Sequence, residues 1–95
     1  MQDRCATAFN TDIEDVATSP YYKRHQQVPP LGTPLKIEAA RRLEVKDEEG
    51  LLVGYLPTGL HYLFTCIDSG YSYEGVVAAS SPIPIPTVNA DFAPQ

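Results

Sequence analysis

The basic residues of this chain are concentrated in one block. Six of the seven Lys and Arg residues lie between positions 21 and 46, and residues 47–95 contain none. Tyrosines occur inside this block and shortly after it. Proteins hold single-stranded nucleic acid with cations on the phosphates and aromatic rings stacked on the bases. The pattern therefore predicts a nucleic-acid surface built from Tyr21, Tyr22, Lys23, Arg24, Arg41, Arg42, Lys46 and Tyr55.

The same residues also fit a purely structural interpretation. In a strand, Arg42, Glu44 and Lys46 would share one face, so that Glu44 interrupts the row of cations. The tyrosine pair at 21–22 could equally be one core residue beside an exposed one. The formal net charge is −5, which opposes non-specific DNA binding, because phosphate contacts supply most of that affinity. A solvated charged face thus remains the alternative to a phosphate track.

The remaining chemically capable side chains do not predict an enzyme. Asp47, Glu48 and Glu49 are consecutive in a turn, whereas paired catalytic carboxylates must face each other across a cleft. His61 has no Cys or Asp partner for nucleophilic chemistry and no second histidine at metal spacing. The sequence has no glycine-rich phosphate loop. We therefore expect a non-catalytic binding module with no cofactor and no metal.

The two cysteines favour a reducing environment. Cys5 and Cys66 form no CxxC motif and have no histidines nearby at zinc spacing. We expect both to be free thiols. No apolar region follows Met1, and no stretch approaches the length needed to span a membrane. These features predict a cytoplasmic protein without a membrane partner.

Turn and periodicity signals divide the chain into short elements. Residues 1–19 lack clean periodicity and are expected to form an N-terminal arm, either disordered or a short helix capped by Thr11 and Glu14. The domain proper is expected at 20–95, where Tyr21-Tyr22 begins a strand that ends near Pro29-Pro30. Leu35 and Ile37 alternate with charged residues, as in a half-buried strand.

The centre of the chain carries the clearest pattern. Residues 43–46 and 51–56 are strand-like and are joined by a polar turn that ends in Gly50, which predicts a β-hairpin. Thr58 is expected to cap a helix that runs to about Ser69, with one apolar stripe at Leu60, Leu63, Phe64 and Ile67. Strands are expected again around 71–77 and 88–92. The Pro82–Pro86 run is expected to be an edge or an extended, polyproline-like segment.

The stretch from Leu43 to Val77 resembles the HIRAN domain family. The resemblance rests on Leu43-Glu44-Val45, Gly50, Val53-Gly54-Tyr55-Leu56-Pro57, the 58–69 helix, Asp68-Ser69-Gly70 and Glu74-Gly75-Val76-Val77. It implies a mostly β fold, a small OB-like or SH3-like barrel of about six strands with one or two short helices. Family members occur as accessory domains of DNA-remodelling helicases and as stand-alone bacterial proteins.

The resemblance implies capture of single-stranded DNA at its 3′ end. In the family, aromatic residues stack the terminal bases, and an Asn-Pro-Tyr-Asp-like turn holds the terminal hydroxyl. At the corresponding place this chain has Glu38-Ala39-Ala40-Arg41-Arg42. The alternative is a protein-interaction module that has lost the DNA site, and that docks a partner through residues 82–86 or through a sheet edge. A homodimer formed through that edge is a third hypothesis.

Overall fold

The computed structural model describes residues 3–95, and six strands of this range form one antiparallel curled sheet, a half-barrel. The mostly β fold predicted from the sequence is confirmed. Neighbouring strands follow the order β1-β6-β5-β2-β3-β4. The strands are β1 (Phe9–Asp12), β2 (Pro34–Ala39), β3 (Leu43–Lys46), β4 (Leu52–Tyr55), β5 (Tyr73–Ser81) and β6 (Thr87–Pro94). The helices are α1 (Pro20–His25) and α2 (Tyr62–Asp68), with 3-10 turns at Arg4–Ala6, Val16–Thr18 and Thr58–Leu60.

Alternating side chains fill the inside of the curled sheet. Leu35 and Ile37 of β2 are buried, and so are Leu43 and Val45 of β3, while their neighbours in sequence face outward. Such period-two burial is what the sequence pattern predicted for both strands. The turn between β3 and β4 ends at Gly50, whose φ of 85° is the left-handed conformation that favours glycine. These elements confirm the predicted hairpin.

The two edge strands of the sheet, β1 and β4, meet at one bridge. The chain continues from β1 to Glu14, whose amide nitrogen donates to the Tyr55 carbonyl at 2.7 Å. The Tyr55 amide nitrogen donates back to the Glu14 carbonyl at 2.9 Å. A side chain at the neighbouring Gly54 would collide with this bridge, because its Cβ would lie 2.5 Å from the Glu14 carbonyl oxygen. We call this bridge, residues 14 and 54–55, the seam.

The N-terminal region differs from the predicted arm. Residues 9–12 form β1, in which Phe9 is paired with Phe92 of β6, and no α-helix occurs in the described residues before Pro20. Ile13 and Val16 are buried in the core. The prediction of a disordered arm or a Thr11-capped helix was wrong. The strand could not be recognised locally, because its partner β6 lies about eighty residues away in the sequence.

The strand predicted to begin at Tyr21-Tyr22 is instead the helix α1. Ser19 is its N-cap, with a side-chain oxygen that accepts a hydrogen bond from the Tyr22 amide at 3.1 Å, and Pro20 occupies the first turn. Both residue types are favoured at those positions. The helix ends at His25, and its C-cap Gln26 adopts a left-handed conformation.

The helix predicted at 58–69 is shorter than expected. It is split into the 3-10 turn at Thr58–Leu60 and α2, and Thr58 makes no side-chain cap. The apolar stripe does face the sheet: Leu63 is fully buried, and Leu60, Phe64 and Ile67 are half-buried against the core. Gly70 follows α2 with a φ of 107°, as expected for a C-terminal cap.

Two further sequence predictions are overturned. Cys5 and Cys66 are joined in a disulfide with Cα atoms 5.4 Å apart, so the expectation of two free thiols was wrong. The Pro82–Pro86 run is the loop that connects β5 to β6 and is neither an edge strand nor an extended segment. None of the helices described in residues 3–95 is long and apolar enough to cross a membrane.

Candidate functional site

Arg42 and Tyr55, two of the predicted nucleic-acid ligands, lie together at the seam. The Arg42 guanidinium is 4.0 Å from the centre of the Tyr55 ring and covers its face. Its nitrogens also contact Asp15 Oδ2 at 2.9 Å and Glu14 Oε1 at 3.3 Å. The guanidinium therefore already has two carboxylates, and the face of Tyr55 that it covers is not open to a base. These two residues hold the edges of the sheet together.

Lys46 is likewise paired within the chain. Glu38 and Glu44 are directly opposite each other on β2 and β3, an arrangement of like charges that is unfavourable without a cation. The Lys46 Nζ lies 2.7 Å from Glu38 Oε2 and 3.5 Å from Glu44 Oε1. The hydrogen bond from Lys46 lowers the pKa of Glu38, and the same bond raises the pKa of Lys46. Lys46 thus neutralises its own neighbours.

The tyrosine pair does not form a stacking platform. Tyr21 is buried, and its ring centre lies 4.3 Å from that of His25 within α1. Burial, followed by the nearby charges of Asp47 and Glu49, raises the pKa of Tyr21. Tyr22 is half-buried against the core. One ring is therefore a core residue and the other offers only part of its surface.

Three predicted cations are exposed and form no salt bridge among the described residues. Lys23 and Arg24 lie in the last turn of α1, and Arg41 lies in the turn between β2 and β3. The predicted set as a whole is divided between the core, the seam, the outer face of β2–β3 and exposed positions. The sequence identified all eight residues by type, but their ion pairs depend on acids that the topology brings next to them.

The residues considered for catalysis have structural contacts. Asp47 is buried, and its Oδ1 accepts hydrogen bonds from the backbone nitrogens of Glu49 and Leu51 at 3.0 and 2.8 Å. His61 packs edge-on against Phe64 at 5.5 Å between ring centres. Within residues 3–95, no group of three or more His, Cys, Asp and Glu side chains is arranged to hold a metal ion.

A cavity of about 280 Å³ lies beside the outer face of β2. Its charged lining is Lys36 together with three acids. None of the predicted nucleic-acid ligands lines it. The complete lining is Pro34, Leu35, Lys36, Asp47, Glu48, Glu74 and Gly75.

Among the described residues, the loop between β5 and β6 is the most exposed apolar feature. We call residues 82–86 the hairpin tip. Ile83 is 75% exposed and Ile85 is 65% exposed. Monomeric proteins tolerate isolated exposed apolar residues, but the two isoleucines and three prolines of the tip form a continuous apolar patch. Residues 75–90 contain no charged side chain, so the tip and the strand residues that flank it carry no charge.

The hairpin tip projects from the rest of the sheet. β2 pairs with β5 only at residues 74–76, followed by backbone contacts to Val77, and β1 pairs with β6 only from Asn89 onward. Beyond these points, residues 79–81 of β5 pair within the sheet only with β6. On the other side, the Val88 carbonyl still accepts a hydrogen bond from the Ile13 amide nitrogen at 2.8 Å, so Thr87 is the residue of β6 that extends past the segment after β1. The molecule measures 42 × 23 × 22 Å.

The conformation of the tip is fixed locally. The Ser81 hydroxyl donates to the Ile83 carbonyl at 2.7 Å, and the Thr87 hydroxyl donates to the Ser81 carbonyl at 3.5 Å. Five residues of polyproline helix would extend about 15 Å. Ser81 and Thr87 are instead direct cross-strand partners, which places their Cα atoms about 5 Å apart. The tip is therefore a reversing loop, and the proline alternation alone did not reveal this.

Comparison with known proteins returns no relative. No family model matches the chain, and neither a curated protein nor a solved structure matches it.

Proposed function

We propose that this protein is a non-catalytic interaction module that inserts its hairpin tip into an apolar pocket of a protein partner. The observation that carries the proposal is the exposure of Ile83 and Ile85 on a projecting, uncharged loop. Burying an exposed isoleucine side chain contributes about 1.5–3 kcal/mol. Two isoleucines separated by one proline, on a loop that is already ordered, supply binding energy at a small entropic cost.

The chemistry of the tip defines the partner. The tip offers no charge, and its prolines donate no backbone hydrogen bond. A pocket lined by apolar side chains, without an unpaired buried charge, suits such a surface best. The bent path of residues 82–86 argues against a groove that recognises a polyproline helix, since such a groove requires an extended ligand.

Site-specific cross-linking tests the proposal directly. A diazirine analogue of leucine is placed at position 85, and, as a matched control, at the exposed Glu48 in the β3–β4 turn. Irradiation in the producing cells is expected to give one protein adduct from position 85 and none from position 48. Excess unlabelled chain should suppress the adduct, whereas excess chain carrying Ile83→Ser and Ile85→Ser should not. Equal adducts from both positions, or none from position 85, would refute a docking role for the tip.

Single-stranded DNA binding, inferred from the HIRAN resemblance, is the second candidate. Its support is Tyr22 with the neighbouring exposed cations Lys23 and Arg24 on α1. It is tested with labelled single strands that have free or blocked 3′ ends, at low salt, where phosphate contacts bind most strongly. Our proposal predicts no binding at about 50 µM, a concentration at which even non-specific DNA binders associate. Binding that Lys23→Ala and Arg24→Ala abolish would favour the DNA hypothesis.

The cytoplasmic location predicted from the sequence is also part of the proposal. That prediction rested partly on two free thiols, and the Cys5–Cys66 disulfide removes this support. Disulfides persist mainly in oxidising compartments. Trapping the thiols by alkylation in the producing cells, followed by fractionation, decides the matter. Recovery of the protein outside the cytoplasmic fraction would contradict the predicted location.

A further inference from the structure

The N-terminal segment before β1 lies on the surface and is held at few points. We call residues 3–8 the strap. Cys5 is half-buried, and every other residue of the strap is exposed. A single 3-10 turn, Arg4–Ala6, is its only regular structure. The strap therefore contributes no residue to the buried core.

Three side-chain contacts attach the strap to α2, to Tyr71 and to the start of β5, and its 3-10 turn also lies against β6. The Tyr71 hydroxyl donates to Asp3 Oδ2 at 2.8 Å, a hydrogen bond that raises the pKa of Tyr71. The Tyr73 hydroxyl donates to the Cys5 carbonyl at 2.6 Å. The Arg4 guanidinium lies 3.8 Å from the centre of the Tyr62 ring. The contacts of Asp3 and Arg4 are weak because both groups are exposed to water, whereas the Tyr73 hydrogen bond is partly buried.

The fourth attachment is covalent and lies at the centre of the strap. Cys66 in α2 is only 2% exposed, and Cys5 reaches it from the strap. Bond formation therefore places the strap over the buried Cys66 and over the Tyr73 hydroxyl. The strongest single attachment of the strap is the one that a change of redox state removes.

The structure beyond the strap is held independently of the disulfide. Phe9, the first residue of β1, packs with ring centres 6.0 Å from Tyr73 and 5.6 Å from Phe92. β1 is also hydrogen-bonded to β6 along its whole length. Release of the strap is therefore expected to stop at Phe9 and to leave the sheet closed.

We propose that Cys5–Cys66 is a redox-controlled latch, and that its reduction detaches residues 3–8 while the curled sheet stays folded. A thiolate of a dithiol reductant attacks one sulfur of the bond, and the other leaves as a thiolate that takes up a proton. The second thiol of the reductant resolves the mixed disulfide. The dithiol is oxidised to a disulfide, and Cys5 and Cys66 together receive two electrons and two protons. Release uncovers the Cys66 thiol and the aromatic side chains of Tyr62, Tyr71 and Tyr73. This latch does not depend on the proposed docking role of the tip.

Nuclear magnetic relaxation of the backbone amides tests the latch on the wild-type chain, before and after addition of dithiothreitol. In the oxidised chain, residues 4–8 are expected to be rigid, with order parameters near 0.85. After reduction, the order parameters of residues 4–8 should fall below about 0.6, while those of residues 9–12 stay near 0.85. Iodoacetamide should then alkylate both cysteines, because Cys66 is no longer covered.

Two results would overturn the latch. One is an unchanged order parameter in residues 4–8 after reduction is complete, which would show that the non-covalent contacts suffice. The other is a loss of order throughout β1 and β5, which would make the disulfide a requirement of the fold. Tyr73→Phe in the oxidised chain serves as the matched control, since it removes one non-covalent contact and should leave the strap rigid.

Discussion

Replacing Gly54 by alanine is expected to open the seam of the sheet. The added Cβ would lie 2.5 Å from the Glu14 carbonyl oxygen and 2.6 Å from Ile13 Cγ2. The first of these atoms belongs to the backbone and cannot rotate away. The substitution must therefore shift the segment at Glu14 or the strand β4, and both backbone hydrogen bonds of the seam lengthen or break.

The magnitude follows from the contacts that are lost. Each of the two hydrogen bonds contributes about 1 kcal/mol net, and overpacking a filled site costs about 1–3 kcal/mol. Alanine also lowers the conformational entropy of the unfolded chain, which stabilises the folded state by about 0.4–1 kcal/mol and offsets part of this loss. A backbone shift that relieves the overpacking also breaks the hydrogen bonds, so the two costs do not add in full. We therefore expect Gly54→Ala to lower the free energy of unfolding by about 2–4 kcal/mol.

Gly59 provides the matched control. A Cβ at Gly59 would meet no atom within 4 Å, so Gly59→Ala should change the free energy of unfolding by less than about 0.5–1 kcal/mol. Urea unfolding is followed by far-ultraviolet circular dichroism, because the chain contains no tryptophan. Equal stability of the two variants would refute the assignment of Gly54 to the seam.

Three further perturbations test the contacts described above. Arg42→Gln should lower the free energy of unfolding by about 1 kcal/mol in dilute buffer and by less in concentrated salt, because its ion pairs are exposed, whereas Arg41→Gln should change it little. An equal effect of the two substitutions in urea titrations would contradict a stabilising role for the pairing of Arg42 with Glu14 and Asp15. The hydrogen bond from Lys46 lowers the pKa of Glu38, so its carboxylate stabilises the folded state at pH values above the pKa of an unfolded glutamate, and this stability is lost as the pH falls through the lower pKa of the folded state. Glu38→Gln should therefore flatten the decline of the melting temperature on acidification, and a parallel decline would argue against the Lys46 pairing. The Cys5→Ser, Cys66→Ser double variant should lose about 2–4 kcal/mol of unfolding free energy, since the bond spans 61 residues of chain, and a loss below about 1 kcal/mol would contradict that contribution.

The elements that the sequence predicted correctly are those with local signals. The hairpin of β3 and β4 carries alternation on both strands and a glycine at the position that needs a positive φ. The apolar stripe of α2 also lies within one short stretch of sequence. Each of these features is determined by residues within about ten positions of one another.

The predictions that failed concern contacts between distant residues. β1 has a short pattern that becomes a strand only through pairing with β6, and the disulfide depends on the proximity of Cys5 to α2 in the folded chain. The helix α1 is a different case, because the Ser19-Pro20 pair is a helix-start signal that was available in the sequence. The tyrosines that follow it were taken as strand formers instead.

For the candidate binding site too, the sequence indicated the local features but not the contacts between distant residues. Residue type identified the cations and tyrosines, but the carboxylates that neutralise Arg42 and Lys46 come from other strands and from the segment after β1. Composition predicted the Pro82–Pro86 run as a segment that could dock a partner, and that stays a prediction. Its projection from the sheet follows from the unequal lengths of the strand pairings, which the sequence does not indicate.

The affinity of the cross-linked partner for the wild-type chain and for tip variants shows whether the hairpin tip is the docking surface. Ile83→Ser with Ile85→Ser should weaken binding at least about a hundredfold, equivalent to about 2.8 kcal/mol, while leaving the free energy of unfolding within about 0.5 kcal/mol of wild type. Val76→Ser, at an exposed position on β5 outside the tip, should bind as wild type does. Equal affinities of all three chains would contradict the account.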